Sequence, residues 1–387
     1  MSIDPGIAEL IPEMTAWRHD FHAHPEIAWQ EKRTSARLAE LLGSFGYEVT
    51  AGLAGTGVVG TLKGRGQKSV MLRSDMDALP IREEAPDRAH CSRNQGCMHG
   101  CGHDGHMAML LGAAKVLANR NDLSGTLHLL FQPAEENEAG ARRLIEEGLF
   151  QRFPADAIFG LHNWPGMPAG TMGVRPGAMM ASCDLFEIEL SGRGTHAAMP
   201  HLGQDVILAA AQLVSSLQAI VSRETDPLDA AVVSVTVIEA GTTWNVMPSS
   251  ARLRGTARAL KPGTRDFLER RIGEIAKGLA QAFGLQVRLT YDRRYPPTIN
   301  HEGETGIAAQ AARLVVGETH LSTDIAPSMG AEDFAFLLAE RPGAYAWLGA
   351  GREGMAGLHN PTYDFNDDIL AIGASWWVAV AEMSLEA

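Results

Sequence analysis

Strand-like and helix-like segments alternate from residue 1 to about residue 178, and this pattern restricts the fold more than any other feature. The strand-like segments include GVVGTLKG, KSVMLRSD, TLHLLFQP and DAIFGLHN. Such alternation predicts an α/β domain in which helices flank a mixed, mostly parallel sheet. Residues 292–387 return to the same mixed pattern, so we expect them to complete this domain.

The stretch between these parts, residues 179–291, has a different order of elements. Its pattern reads strand, helix, strand, strand, helix, strand, which is the β-α-β-β-α-β order of ferredoxin-like folds. We therefore predict a second domain, 179–291, inserted into a discontinuous first domain made of 1–178 and 292–387. A length of 387 residues agrees with two domains rather than one core.

Composition excludes several classes of protein. The formal net charge is −13, which opposes binding to a phosphate backbone, so we expect no nucleic-acid partner. No window approaches about 18 uninterrupted apolar residues, and we expect no membrane span. The N-terminus lacks the pattern of a secretion signal, which predicts a cytoplasmic location.

One glycine motif invites a nucleotide-binding interpretation. Gly55, Gly57 and Gly60 in GTGVVG satisfy G-x-G-x-x-G. That fingerprint requires a helix to begin at its last glycines, where the helix N-terminus meets the pyrophosphate. Here the chain continues with VVGTLKGRG, which is β-branched and then turn-like, so a dinucleotide site is not expected.

The stretch MHGCGHDGHMA, residues 98–108, carries three histidines, a cysteine and an aspartate just before a helical segment. Cys101 and His103 stand two residues apart, so one turn could present both to the same metal ion, with Asp104 free to orient a ligand. His99 and His106 compete for the same role. A loop of surface histidines is the plain alternative.

A structural zinc knuckle is a further alternative for this stretch. Cys91, Cys97, Cys101 and one histidine could supply four ligands. Structural zinc sites, however, usually use C-x₂₋₄-C pairs and close all four ligands locally.

Further candidate ligands follow predicted strands. In α/β sheets, functional residues collect at the carboxyl ends of the strands. Such positions are occupied by Asp75, Asp77, Glu135, Glu136 and His162, and His359 stands in a turn-like segment near the C-terminus. Cysteine, histidine and glutamate together provide enough ligands for two ions and too many for one tetrahedral site.

These segments resemble a known family, the binuclear metal amidohydrolases typified by hippurate hydrolase, auxin-conjugate hydrolases and N-acyl-L-amino-acid deacylases. The resemblance covers essentially the whole chain and keeps the order of the family's motifs. It runs through RHDFHAHPE, TGVVGTLKG, RSDMDALPI, MHGCGHDGHMAMLLGAA, FQPAEE, GLHNWPG, GRGTHAAMPH, NVMPS, GAEDFAFLL and LHNPTYDFND. The resemblance implies a zinc-exopeptidase-like catalytic domain with an inserted lid or dimerisation domain.

The resemblance also implies roles for individual residues. Cys101 is expected to bridge two divalent ions and Glu135 to act as the general base. The other expected metal ligands are His103, Glu136, His162 and His359. Related enzymes have a His-x-Asp pair where this chain reads Asp75-Met76-Asp77, so we expect Asp77, like Asp104, to support the ligands rather than to bind metal.

Two residues of the inserted domain have implied roles as well. His196, in GRGTHAAMPH, matches a histidine that stabilises the oxyanion, either in its own subunit or in a neighbouring one. Asn245, in WNVMPS, matches a position near the substrate carboxylate. The resemblance further implies a homodimer formed through residues 179–291.

The function so implied is hydrolysis of the amide bond of N-acyl or N-aroyl amino acids into a carboxylic acid and a free amino acid. A water held between two divalent ions would give its proton to Glu135. Zinc and manganese are the first candidate ions, followed by cobalt and nickel.

Three alternatives stay open at this point. Two are enzymes: a dipeptidase, and a dedicated deacetylase of an N-acetyl amino acid such as N-acetyl-diaminopimelate. The third is a binding protein in which metal serves only structure. The pair Glu135–Glu136 argues against this third alternative, because a purely structural site needs no spare carboxylate.

Overall fold

The computed structural model describes residues 1–120, 123–136 and 138–386. The α-helices are α1 Pro5–Ala23, α2 Lys32–Ser44, α3 His103–Ala118, α4 Gly140–Glu146, α5 Leu149–Arg152, α6 Val206–Ala219, α7 Pro262–Ala282, α8 Glu302–Val316, α9 Phe334–Glu340 and α10 Leu370–Glu386. A π-helix, Ile220–Glu224, follows α6, and short 3₁₀ helices span Pro200–Leu202, Glu318–His320 and Asp367–Ile369.

The strands alternate with these helices along the chain. They are β1 Glu48–Leu53, β2 Gly57–Lys63, β3 Lys68–Asp75, β4 Gly125–Gln132, β5 Ala157–Pro168, β6 Met172–Gly173, β7 Gly177–Met180, β8 Cys183–Ser191, β9 Thr195–His196, β10 Ala231–Ala240, β11 Val246–Met247, β12 Ser250–Ala259, β13 Gln286–Tyr295, β14 Thr298–Asn300, β15 Leu321–Ser322 and β16 Gly343–Gly351.

The chain divides into two compact units. Unit 1 contains Met1–Met179, Ile299–Ala326 and Asp333–Ala387, and unit 2 contains Met180–Thr298 and Pro327–Glu332. The expected boundary at residue 291 falls inside β13. Apolar alternation stops near that point in the sequence, but the backbone pairing of β13 with β8 continues to Tyr295, which lies opposite Cys183.

Residues 327–332 also depart from the expected division, which placed all of 292–387 in the first domain. They belong to unit 2, where the carbonyl oxygen of Ser328 accepts a hydrogen bond from the backbone N–H of Ala181. The carbonyl oxygen of Met329 accepts another from the Arg258 side chain. These contacts join residues far apart in sequence, and the local pattern of the segment gives no sign of them.

Unit 1 is built on an eight-stranded sheet with the order β1-β2-β4-β3-β5-β16-β6-β15. Its centre is parallel, because β3 pairs in parallel with β4 and β5, and β5 pairs in parallel with β16. The outer strands β1 and β2 are antiparallel. The predicted mixed, mostly parallel α/β sheet is therefore confirmed, and the ends of β3, β4 and β5 meet at one edge.

Helices α1, α3, α8 and α10 form the main core of unit 1 on one face of this sheet. Met14 and Phe21 of α1, Leu110 of α3 and Trp376 of α10 are all fully buried there. Asp4 stabilises the start of α1, because its carboxylate accepts hydrogen bonds from the backbone N–H groups of Gly6 and Ile7. Pro5 in the first turn also favours this start.

Unit 2 contains a four-stranded sheet with the order β10-β12-β8-β13. All of its pairs are antiparallel. Helices α6 and α7 pack against it through a separate apolar cluster that includes Leu213, Leu217, Leu268 and Ile272. The chain order β8-α6-β10-β12-α7-β13 is the β-α-β-β-α-β order of a ferredoxin-like fold.

Two helical stretches of the described chain are long and apolar enough to cross a membrane. In Asp367–Glu386, 78% of the apolar window is buried, as in the core helix of a globular domain, and in Val206–Glu224 the buried share is 33%. Length and composition alone are weak support for a membrane span. The expected lack of a span and the expected cytoplasmic location both stay predictions.

Candidate metal centre

The candidate metal ligands of unit 1 lie at the carboxyl edge of its parallel strands. Glu135 and Glu136 follow β4, His162 lies in β5, and the segment Cys101–His103 leads into α3. Because β4, β3 and β5 are neighbours in the sheet, their ends bring these side chains together, as expected for the carboxyl edge of an α/β sheet.

A glycine makes the turn that separates Cys101 from His103. Gly102 has φ +90°, a left-handed conformation that favours glycine, and an added Cβ would lie 2.5 Å from the side-chain nitrogen of Asn163. That same nitrogen donates a hydrogen bond of 2.8 Å to the carbonyl oxygen of Cys101. Tyr363 in turn donates to Asn163 over 2.5 Å. The turn is therefore held in place by Asn163 and Tyr363, two residues far from it in the sequence.

Two triads of candidate ligands share one residue. Cys101 groups with His103 and His162, and again with Glu136 and His359; within each triad the ligand atoms lie within 4.8 Å of one another. The Sγ atom of Cys101 is 3.4 Å from Nε2 of His162, and Nε2 of His359 is 3.2 Å from Oε1 of Glu136. Cys101 is thus common to both triads.

The rings of His103 and His162 are each oriented by a backbone carbonyl oxygen that contacts the Nδ1 atom. His103 Nδ1 lies 2.8 Å from the carbonyl oxygen of Asp77, and His162 Nδ1 lies 2.6 Å from the carbonyl oxygen of Asn163. His103 Nε2 is buried without a hydrogen-bond partner. A buried, unpartnered nitrogen beside a thiol and carboxylates fits a divalent metal, with the tautomer set from outside.

Negative charge is concentrated at this centre. Burial raises the pKa of the Cys101 thiol well above its usual range, and the charges of Glu136, Glu135 and Asp75 raise it further. For His103, burial lowers the pKa, but the charge of Asp75 and the contact with Asp77 raise it more, to about 10. Both shifts have the direction produced by excess negative charge, which a bound cation would neutralise.

Asp75 and His106 form a separate, internally satisfied pair. Asp75 accepts hydrogen bonds from His106 Nδ1 at 2.7 Å and from the Arg73 guanidinium at 2.8 Å. His106 Nε2 accepts from the backbone N–H of Asn163 at 3.0 Å. Although Asp75, His103 and His106 also cluster within 4.8 Å, protein groups already use both ring nitrogens of His106. His103, with its free Nε2, is the better ligand of the two.

Asp77 supports two candidate ligands at once. Its carbonyl oxygen faces His103, and its Oδ2 accepts a hydrogen bond of 3.0 Å from the backbone N–H of Glu136. Asp104 instead points towards α1, where it pairs with Arg18 at 2.9 Å and with His22 at 2.8 Å. Asp104 therefore anchors the start of α3 to α1.

Arg18 and His22 were not among the expected site residues. Both are fully buried polar side chains, and their spacing of four residues places them on one face of α1. The segment RHDFHAHPE contains this signal, but their partner Asp104 is 86 residues away from Arg18 in the sequence. Local spacing could reveal a shared face and could not identify the partner.

The zinc knuckle and the remaining histidine of the stretch can also be placed. Among the described residues, the clusters able to hold a metal ion include neither Cys91 nor Cys97. Both are free, half-buried cysteines. His99 is almost fully buried, and burial lowers its pKa to about 3. It also belongs to none of the candidate metal clusters of the described chain.

His196 and Asn245 lie together in unit 2. His196 in β9 pairs with Val246 in β11, and the carbonyl oxygen of Asn245 accepts a hydrogen bond of 3.0 Å from the backbone N–H of Ala197. Both residues line an open cavity of about 1040 Å³ within this unit. Their expected roles in catalysis and substrate binding stay predictions.

Comparison with known proteins places this geometry in context. The model of peptidase family M20/M25/M40 matches residues 71–383. A hippurate hydrolase of Campylobacter jejuni is 41% identical over 382 residues, covering 98% of this chain and 99% of that protein. An N-acetylcysteine deacetylase of Bacillus subtilis is 37% identical, covering 95% and 96%. The crystal structure of a dinuclear metal-binding peptidase of Bacillus subtilis matches with a TM-score of 0.86 and 34% identity, covering 98% and 99%.

Proposed function

The chain belongs to peptidase family M20/M25/M40 and is a metal-dependent amidohydrolase, and from this premise we propose that it cleaves N-acyl and N-aroyl amino acids into a carboxylic acid and a free amino acid. The observation that carries the proposal is the pair of ligand triads sharing Cys101, with the spare carboxylate of Glu135 beside them. Relatives named for hippurate and for N-acetylcysteine support amide hydrolysis as the reaction class.

The proposed metal centre holds two divalent ions. Cys101, His103 and His162 would hold one ion, and Cys101, Glu136 and His359 the other. Zinc fits this mixture of thiolate, imidazole and carboxylate ligands, and manganese, cobalt and nickel are further candidates. When bound, such ions supply Lewis acidity, which acidifies a water molecule and polarises the acyl carbonyl group.

Glu135 is the proposed general base. It is almost fully buried, and it groups with His103 and Glu136 rather than within the two triads that share Cys101. Its carboxylate takes a proton from the attacking water and returns it to the nitrogen of the leaving amino acid, so that water is added across the amide bond. General acid–base catalysis of this kind contributes about 10²–10⁴-fold to the rate.

The proposed substrate contacts come from unit 2. The imidazole of His196 would donate a hydrogen bond to the oxyanion that forms during attack. Asn245 would bind the carboxylate of the amino-acid part of the substrate. The pairing of β9 with β11 supports a joint role, because it places the two residues on adjacent backbone segments.

Deacetylation of a small N-acetyl amino acid is the second candidate. The N-acetylcysteine deacetylase is nearly as similar to this chain as the hippurate hydrolase is. Values of kcat/KM for hippurate, N-acetylcysteine, N-acetylmethionine, N-acetyl-diaminopimelate and Gly-Leu separate the candidates. The proposal predicts the highest value for an aroyl substrate, and a preference for N-acetyl substrates or for the dipeptide would replace it.

A homodimer formed through unit 2 is a further part of the proposal. Strand β10 lies at the edge of its sheet, and unit 2 exposes Ile207, Leu208 and Trp244. Exposed apolar side chains beside an open sheet edge are typical of an interface. Light scattering should find a dimer that Leu208→Glu weakens. Leu314→Glu, at a similarly exposed leucine of α8 in unit 1, is the control. A wild-type monomer would contradict this part.

A further inference from the structure

Glu31 is a buried carboxylate whose position in the fold needs an explanation. It stands at the N-cap position of α2, yet its side chain caps no amide of that helix. Its carboxylate is fully buried. One oxygen accepts a hydrogen bond of 2.9 Å from the backbone N–H of Ala134, and the other accepts one of 2.8 Å from the Thr56 hydroxyl.

Ala134 is the residue immediately before Glu135, and its backbone is strained. Its φ of +55° lies in the left-handed region, which residues other than glycine rarely adopt. On the other side of Glu135, the backbone N–H of Glu136 donates to Asp77 over 3.0 Å. The backbone N–H groups of the residues immediately before and after Glu135 are therefore each held by a buried carboxylate.

We propose that Glu31 is a positioning residue, which keeps the Ala134 peptide in its strained conformation and thereby sets the direction of the Glu135 side chain. The idea rests on the proposed function, in which Glu135 is the general base. A misplacement of about 1 Å in a reacting group can reduce a rate by about 100-fold. Holding the backbone on both sides of the base prevents such a misplacement.

The cost of burying Glu31 supports this role. Burial raises the pKa of this carboxyl to about 7, and the nearby charge of Asp77 adds to the shift. Burying a charged form in this way disfavours folding. A carboxylate in this location is therefore explained better by what it holds than by any stability it supplies.

Kinetics of four variants test the proposal. Glu31→Met removes the acceptor, and it should lower kcat by about 30-fold while KM and metal content stay within about twofold. Glu31→Gln keeps an oxygen that can accept from Ala134, and it should retain most of the activity. Thr61→Val is the control. Thr61, on β2, is joined to His128 of β4 by a buried hydrogen bond, and loss of that bond should leave kcat unchanged. Should Glu31→Met not fold, Ala134→Gly, which relaxes the strained backbone, should lower kcat in its place.

A double-mutant comparison separates positioning from general stabilisation. If Glu31 acts through Glu135, Glu31→Met should change the residual rate of Glu135→Gln by less than about twofold, because the two effects are not additive. An equal loss in both backgrounds, or full activity of Glu31→Met, would overturn the proposal.

Hydrogen exchange of the metal-free protein gives a readout that does not depend on activity. Glu31→Met should speed exchange of the Ala134 amide by at least about tenfold, with the amides of β4 unchanged. Unchanged exchange at Ala134 would overturn the inference. If wild type and Glu135→Gln are equally active, the assignment of the base fails, while faster exchange would still show that Glu31 holds the peptide.

Discussion

The Nδ1 atom of His103 lies 2.8 Å from the backbone carbonyl oxygen of Asp77, while the side chain of Asp77 accepts a hydrogen bond of 3.0 Å from the backbone N–H of Glu136. One residue shortly after β3 therefore supports a candidate ligand from each triad. Asp77 itself belongs to neither of these two triads. The orientation of both ligands thus depends on a residue outside the centre.

Asp77→Ala should weaken metal binding without unfolding the protein. The backbone carbonyl that faces His103 stays, but the amide of Glu136 loses its acceptor, and losses of about 10–100-fold in affinity are typical for such supporting residues. Competition with a chromophoric chelator measures the affinity. Asp77→Asn, which keeps an acceptor oxygen, is the control and should lose less. Equal affinity of wild type and Asp77→Ala would contradict this role.

Zinc affinity should rise steeply with pH. Burial and neighbouring carboxylates hold the pKa of the Cys101 thiol well above its usual range in the metal-free protein, so metal binding at neutral pH must displace its proton. Each unit of pH should then raise the affinity about tenfold per proton released. Chelator competition between pH 6.5 and 8.5 gives the slope of log affinity against pH. This slope should be smaller by one proton for Cys101→Ala than for wild type. An identical slope in the two proteins would refute this.

Arg18→Met should destabilise unit 1 strongly. The substitution removes the guanidinium that pairs with the fully buried Asp104 and leaves His22 as the remaining partner of that carboxylate. Breaking a buried ion pair costs about 3–5 kcal/mol. Denaturant unfolding followed by tryptophan fluorescence reports on unit 1, which contains every tryptophan except Trp244. Arg37→Met breaks an exposed pair with Glu40 and should cost under about 1 kcal/mol. Similar losses from both variants would contradict the argument.

Glu83 should make the free energy of unfolding sensitive to acid. Burial raises its pKa. Hydrogen bonds from His22 and from the Ser92 amide, together with the charge of Arg88, lower the pKa by more than burial raises it, to about 2. Its stabilising effect is therefore present above its unfolded pKa of 4.5 and is lost as pH falls towards 2. At neutral pH Glu83→Gln should cost up to about 3 kcal/mol.

The pH dependence of that difference is the test. Tryptophan fluorescence follows the unfolding of wild type and Glu83→Gln at pH 7, 5, 4 and 3. The difference between their free energies of unfolding should narrow as the pH falls below 4.5. A gap that stays constant over this range would show that the charge of Glu83 does not stabilise the fold.

The sequence predicted the α/β sheet, and it predicted which strand ends carry the candidate ligands. The sheet could be predicted because apolar periodicity and strand order are local properties, and a parallel sheet aligns its carboxyl ends automatically. Glu136 and His162 come close together for this reason, whereas Cys101, His103 and His359 lie outside the strands.

The supporting contacts could not be predicted in the same way. Glu31 bonds to an amide 103 residues later, and Arg73 pairs with Asp333, 260 residues away. A buried polar residue in a sequence shows that a partner must exist, but only the tertiary fold identifies that partner. The placement of residues 327–332 in unit 2 escaped prediction for the same reason.

Release of glycine from hippurate tests the central claim most directly, with wild type and Glu135→Gln measured as prepared, after chelation, and after zinc or manganese is restored. The account predicts that wild-type activity is lost on chelation and returns with metal. It also predicts that Glu135→Gln binds two ions per chain, as wild type does, with kcat lower by about 10²–10⁴-fold. Hydrolysis that survives complete removal of metal, or a fully active Glu135→Gln, would contradict the account.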